Sequence, residues 1–373
     1  MSQRIINFLI YLTIFCLPLY LVRFKIDWIP FNVLEFLICL LFLIWLFRGN
    51  KNQLLFRNRF WWPILLIFFG LTISVLFSSD LETSAGIWKS WFLAPLLFWL
   101  VLINQLRDKE QIKKVFWSLF FSGVAVALIS LFCFFTDRLT YDNRLAGFYN
   151  SANYLAMYLA PILILSFYLY SFTKNKKFKI LLVTGYCLLV TVIYLTYSYG
   201  AWLGVLAAFL FILIKRKRIK ITIIFILLII VVLMFQVSSF KFQGMLDLSY
   251  PSLKSRLVIW QVAGEIIKDN FLIGIGPGMF QKYYSDYQAQ FPSYPEWAVP
   301  HPHNLFLAFW LQTGLLGLIG FIWLLFLFFK KTDPKGFLGS VLMAAMIYLL
   351  AHGLIDTTYW KNDLSIIFWL ITA

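Results

Sequence analysis

Three histidines occur in 373 residues, and two of them, His301 and His303, stand one residue apart in VPHPHNLFLAFWLQTGLLGLIGF, residues 299–321. Imidazole is the side chain best suited to moving a proton near neutral pH. Here both rings sit at the rim of an apolar run. Pro300 and Pro302 hold the approach extended, because a residue before proline avoids the helical region. Asn304 is a good N-cap, so the spacing predicts His303 at a helix N-terminus. The partial positive charge of that end favours a neutral ring, able to take a proton from a hydroxyl or to sit beside an anionic group. The plainer alternative is an interfacial histidine bonded to a loop. His-x-His pairs also bind metals, but no third histidine or cysteine lies near this one, so no metal and no other cofactor is expected.

Anion chemistry needs fixed positive charge, and arginine suits phosphate because of its rigid fork of donors. The cations assigned below to the outer side are Arg23, Lys25, Lys89, Arg138, Arg144, Lys241, Lys254, Arg256, Lys268, Lys282 and Lys361. Most are expected to be solvated, with two or three lining a site. Asp356, in HGLIDTT, falls at the outer end of an apolar run, where an ionisable group is costly and often functional. Its alternative is pairing with Lys361 or His352. Glu35 receives no role.

These groups must be held by elements that live in lipid. The chain is 62% hydrophobic and 20% aromatic with 13% charged residues, too few to coat a soluble domain. Its apolar runs approach the roughly 20 residues needed to cross about 30 Å of hydrocarbon, and they are continuous, which excludes an alternating β-barrel. The expected fold is an all-α, polytopic transmembrane helix bundle of about twelve spans. They lie near 5–22, 31–47, 60–78, 86–105, 115–135, 152–172, 179–197, 199–214, 221–236, 304–329, 336–355 and 361–373. Residues 1–373 are read as a single integral membrane domain, with an uncleaved first span in place of a secretory signal. The four cysteines all fall inside apolar runs, as buried small hydrophobes do.

The net charge of +16 is placed by the same topology. With a cytoplasmic N-terminus, about two thirds of the lysines and arginines fall on the inside, notably in KNKKFK and KRKRIK, against only Asp108, Glu110 and Asp333. The basic residues therefore serve orientation and contact with membrane lipids, and no nucleic acid is expected as partner. One connection is long: residues 237–303, an extracytoplasmic loop between spans 9 and 10. Apolar residues at Leu253, Leu257, Trp260, Ile266 and Ile267 predict an amphipathic helix in it, lying along the membrane surface or capping the bundle. GIGPGMF then reads as a turn, since it lacks a preceding strand and any nucleotide-loop spacing.

HPHNLFLAFWLQTGLLGLIGF resembles the signature of the O-antigen ligase/polymerase superfamily, a His-Asn pair followed by an apolar helix with paired glycines. RLAGFYNSANYLAMYLAP, YSYGAWLGV, SRLVIWQVAGEIIKDNFLIGIGPGMFQKYY and HGLIDTTYWKNDLSIIFWL resemble further segments of that family in the same order, over about 144–373. The resemblance implies a metal-independent, inverting membrane glycosyltransferase of the bacterial cytoplasmic (inner) membrane. It implies a polyprenyl-pyrophosphate-linked glycan as donor and a hydroxyl acceptor on a glycan, lipid A core or wall polymer. The family's histidine falls on His303, as base, its external-loop arginine on Arg256, at the pyrophosphate, and its acidic residue on Asp356. Arg144, Lys89, Tyr199 and His301 join Asp356 as substrate-binding candidates. The chain departs from the family pattern Ser-Arg-Gly at Ser198-Tyr199-Gly200. Three outcomes stay open: Lys89 or Arg144 supplies the missing cation, the donor and acceptor geometry differs, or the chain is inactive. Two other functions compete, a transporter or flippase of a lipid-linked glycan and a non-catalytic partner in envelope assembly. The absence of a clear internal repeat weighs against transport.

Overall fold

The computed structural model describes residues 2–27, 29–49, 60–216, 251–291 and 298–373. The chain begins with α1 (Ser2–Phe15) and a 3₁₀ turn (Leu17–Leu21). A hairpin of β1 (Arg23–Ile26) and β2 (Ile29–Asn32) follows, antiparallel with Phe24 opposite Phe31. Next come α2 (Val33–Arg48), α3 (Trp61–Leu76), α4 (Leu81–Gln105), α5 (Lys109–Phe135), α6 (Ala152–Phe172), α7 (Lys176–Leu195) and α8 (Tyr199–Lys215). The last five helices are α9 (Pro251–Asp269), α10 (Phe280–Gln288), α11 (Leu305–Lys331), α12 (Phe337–Gly353) and α13 (Asn362–Thr372).

Eleven of the twelve expected spans coincide with these helices. The ninth, near 221–236, lies outside the described residues, as do Lys241 and most of KRKRIK. Among the described residues, five helices are long and apolar enough to cross a bilayer: α4, α5, α6, α7 and α11. Others are shorter, and a 17-residue helix such as α8 rises only about 25 Å, less than a typical hydrocarbon core. The chain is a multi-pass helical membrane protein. The expected all-α fold is amended by the hairpin, which returns the chain between two antiparallel neighbours, α1 and α2.

Local sequence explains where the helices start. Asp108 caps α5 with a full capping box, accepting from the Gln111 N–H at 2.8 Å while Gln111 reaches back. Ser151 caps α6 and Asn32 caps α2. Helix α4 contains a π-helical turn over Trp88–Leu93, the kind of local widening that re-aims side chains. Helix α3 runs along α11, with the Gly70 Cα side against the Gly317 backbone. Small residues at such a seam let membrane helices approach closely, which is how packing replaces hydrophobic drive in lipid.

Helix α11 is not continuous. Gly314 takes φ +68° and ψ −179°, and the 272–275 loop enters the break. Leu315 N–H would ordinarily bond the Leu311 carbonyl one turn back. Instead Leu315 N–H donates to Leu272 O at 3.0 Å, and Ile275 N–H donates to Leu311 O at 2.6 Å. Gly278 N–H donates to Gln312 Oε1 at 3.0 Å. GIGPG is thus a turn, with Gly274, Gly276 and Gly278 all at positive φ, and also a plug that satisfies a broken helix. Glycine runs are ordinary in membrane helices, so the apolar pattern of 304–329 gave no warning of the break.

The loop beyond 250 builds a second small core. Ile259, Val262, Ala263 and Ile266 of α9 are fully buried, packed with Ile275, Phe280, Tyr284, Val299 and Leu311. The buried stripe therefore runs through 259, 262, 263 and 266. Leu257, expected on that face, is exposed.

Candidate functional site

Four segments converge on the C-terminal end of α12. Asn304 caps α11, accepting from the N–H groups of Phe306 and Leu307, while its own amide donates to Leu354 O at 3.0 Å. Arg256, on α9, donates through Nε to Ile355 O at 3.0 Å. The loop after α5 brings Arg144, and the first turn of α6 brings Asn153. Backbone carbonyls at a helix end lack intrahelical partners, so residues 354 and 355 are natural anchors for these donors.

His303 has φ +46°, a left-handed conformation that turns its side chain toward Asp356. His303 Nδ1 lies 3.3 Å from Asp356 Oδ1. Asp356 is buried, and its other oxygen accepts from Asn153 Nδ2 at 2.8 Å. Thr357 N–H donates to Oδ1 as well. Burial pushes the Asp356 carboxyl up, but the His303 hydrogen bond, the neighbouring imidazoles and the Arg256 guanidinium outweigh it and hold the group well below the usual carboxylate range. Asp356 is accordingly an anion that receives the His303 Nδ1 proton, leaving Nε2 as the ring's acceptor.

Arg144 completes the chain of contacts. Its Nη2 donates to Asn153 Oδ1 at 2.6 Å, its Nε to Thr196 O at 2.7 Å, and Nη1 lies 3.6 Å from Asp142. Asn153 thus links the guanidinium to the carboxylate, which in turn meets the imidazole. A cavity of about 330 Å³ opens beside this chain. Its lining includes Arg144, Asn153, Tyr199, Arg256, His303 and Asp356, with Tyr141 at full exposure. Two guanidinium groups and a carboxylate-held imidazole around one void can bind a polyanion and draw a proton from a neighbouring hydroxyl.

Of the seven residues proposed from sequence, five line this cavity: His303, Arg256, Arg144, Tyr199 and Asp356. Lys89 and His301 do not. Lys89 pairs with Glu35 at 3.0 Å, bonds Pro30 O and sits 4.0 Å over the Phe31 ring. His301 is buried beside Trp91, ring centroids 6.3 Å apart. Burial, with His303 and Lys361 nearby, lowers its pKa to about 3, so its ring is neutral at physiological pH. Asp356 pairs with His303 rather than with Lys361, and His352 bonds Tyr348 at 2.9 Å. Asn153, Ser255 and Tyr141 were not singled out in the sequence, and His352 was named only as an alternative partner for Asp356. Asn153 lies within the segment RLAGFYNSANY, but an asparagine at a helix start reads first as a cap, a task Ser151 performs here.

Fold and cavity together define a multi-pass helical membrane protein with a cationic, histidine-bearing cavity at the N-terminal end of α11. Residues 184–322 match the family model described as O-antigen ligase, which carries the family resemblance over that stretch. The match runs from within α7 to within α11 and contains Tyr199, Arg256, His301 and His303; Arg144, Asn153 and Asp356 fall outside it. No curated protein matches the chain.

Proposed function

We propose that the protein transfers a glycan from a polyprenyl-pyrophosphate carrier to an acceptor hydroxyl at the outer face of the bacterial cytoplasmic membrane, as an O-antigen ligase or a polysaccharide polymerase. The observation that carries this reading is the His303–Asp356 pair, 3.3 Å apart, in a cavity that also holds Arg144 and Arg256. Asp356 fixes the Nδ1–H tautomer, so Nε2 takes the acceptor proton as the acceptor oxygen attacks the anomeric carbon. The bond from that carbon to the diphosphate oxygen breaks, and its electron pair leaves with the diphosphate. Arg256 and Arg144 stabilise the growing negative charge, a role that fixed cations fill best in a partly dry site. A single displacement inverts the anomeric configuration. The N-terminus is cytoplasmic, which places the His303 end of α11 outside.

Arg144 supplies the second cation that Tyr199 lacks. Arg144 and Tyr199 line the same cavity, whereas Lys89 is engaged with Glu35.

The test is reconstitution of the purified protein with a polyprenyl-pyrophosphate oligosaccharide and a panel of hydroxyl acceptors. Wild type forms the glycosylated acceptor; His303→Ala and Arg256→Ala do not. Equal product from all three would end the assignment, and stoichiometric movement of intact donor across the bilayer would assign transport instead.

A further inference from the structure

A second cavity, of about 340 Å³, is lined by residues between 20 and 91 and by Lys361 and Asn362, none of which the family match reaches. It is formed by the hairpin, α2, α4 and the start of α13. Arg23 and Lys361 line it, and neither makes an ion pair among the described residues. Lys361 is half-buried, its ammonium 4.2 Å over the Tyr154 ring. Glu35 also lines it but is already neutralised by Lys89 and held by Asn362 Nδ2. The remaining carboxylate, Glu82, is exposed at the lining. The lining thus holds two cations outside any described ion pair, against exposed Glu82, with buried Asp363, bonded by Tyr149 Oη, two residues beyond Lys361. Trp91 and Phe31 add aromatic walls, and Asn362, which accepts from Trp91 Nε1 at 3.0 Å, fixes the indole.

The two linings share no residue but are linked by short stretches of chain and by side-chain contacts. Asp356 lines the first and Lys361 the second, five residues later, a separation of at most about 18 Å along the chain. Asn153 lines the first, and its neighbour Tyr154 carries Lys361. Trp91, in the second, touches His301, two residues before His303.

We propose that the second cavity is a binding site for an acidic saccharide, a sugar chain whose carboxylate or phosphate is held by Arg23 and Lys361 while its apolar faces meet Trp91 and Phe31. Fixed cations select the charged group, and aromatic walls take the C–H faces of a pyranose. Resting on the transfer reading of the first cavity, the site holds the acceptor chain and delivers its terminal hydroxyl toward His303.

The test uses binding without turnover. Full-length protein carrying Glu82→Cys and His303→Ala, in phosphatidylcholine nanodiscs, is labelled with a membrane-impermeant maleimide. The probes are a glucuronic-acid-containing tetrasaccharide and a neutral tetrasaccharide of the same length. The acidic probe is expected to slow labelling, the neutral one not. Adding Arg23→Ala or Lys361→Met is expected to weaken that protection about tenfold, and Arg23→Lys to retain most of it. Arg23 is exposed, so its loss leaves the thermal midpoint unchanged. Absence of protection by the acidic probe, equal protection by both probes, or protection indifferent to both cations would overturn the proposal. So would slow labelling in phosphatidylglycerol nanodiscs that no saccharide alters, which would give the cavity to a lipid headgroup. Because His303 is absent throughout, failure here leaves the transfer reading standing, and failure of that reading leaves this binding measurable.

Discussion

His303 and Asp356 are 53 residues apart in the chain and 3.3 Å apart in space, imidazole Nδ1 against carboxylate Oδ1. In the proposed transfer, Asp356 touches no reacting atom and acts as a positioning residue that holds a tautomer. Asp356→Asn preserves shape but presents either an amide N–H or a weaker acceptor to Nδ1. The expected result is a fall in kcat of about 10²–10⁴-fold with donor KM nearly unchanged, by analogy of role with other carboxylate–imidazole pairs. Steady-state assays with reconstituted donor check it, and an unaltered kcat would remove the pair from the mechanism.

Arg144 makes directed bonds from Nε and Nη2, and a lysine ammonium cannot make both. Arg144→Lys and Arg144→Ala are both expected to raise donor KM, by about tenfold or more for the alanine. Tyr199 stands in the same cavity where the family pattern has an arginine. Tyr199→Arg in the Arg144→Ala background is expected to restore part of the donor affinity. No recovery would mean that position 199 does not face the diphosphate.

The elements were legible because hydropathy reads lipid directly: from α1 to α8, and again from α11 to α13, each apolar run became a helix, although α1 ends at Phe15 rather than near 22 and α5 starts at Lys109 rather than near 115. That His303, Arg256 and Asp356 would share one cavity was legible from the family resemblance, and their roles there belong to the proposal. The site was illegible where a residue's use depends on a distant partner. Lys89 and Arg144 look alike in sequence, yet Glu35 claims one and Asn153 the other. Asn153 itself joins residues 144 and 356 only because α6 and α12 lie side by side. The plug in α11 was hidden for a similar reason, since its hydrogen bonds come from a turn some 40 residues upstream.

Orientation rests on the positive-inside pattern and is directly measurable. Single cysteines at Gln288, on α10, and at Lys335, before α12, are expected to label from opposite faces of sealed spheroplasts, Gln288→Cys from outside. Lys335 is exposed and Gln288 is partly exposed. Labelling from the same face would refute the map and with it the placement of His303 outside.

His301 gives stability an acid-sensitive slope. Its folded pKa is about 3 and its unfolded value near 6.5, so between those values the unfolded chain binds more protons. Stability is therefore complete above about pH 6.5 and falls as pH drops through that window, by at most about 1.4 kcal/mol per pH unit. Asp356, whose folded pKa is depressed, loses its contribution only below the ordinary carboxylate range, near pH 4 and under. Thermal midpoints of the solubilised protein from pH 7.5 to 4.5 should decline, and His301→Gln should flatten that decline. An equal decline in the variant would assign the slope to other groups.

The plugged break in α11 carries the last expectation. A β-carbon on Gly314 would lie 2.5 Å from Leu272 O and 2.8 Å from Ile273 O, and the φ of +68° is strained for any side chain. The clashing atoms are backbone, belonging to the loop whose Leu272 carbonyl accepts from Leu315, so the alanine cannot be accommodated by a rotamer change. Gly314→Ala should therefore cost about 2 kcal/mol or more, lowering the thermal midpoint and expelling the plug. The plug leads directly into α10 and packs in the core that α9 shares, so its release should also loosen Arg256 from Ile355 and raise donor KM. Gly264, inside α9, is the control: a β-carbon there meets nothing within 4 Å, and Gly264→Ala should be neutral or stabilise by up to about 1 kcal/mol through helix propensity. If Gly314→Ala leaves midpoint and donor KM as Gly264→Ala does, the loop is not seated in the helix break and the support for Arg256 must be sought elsewhere.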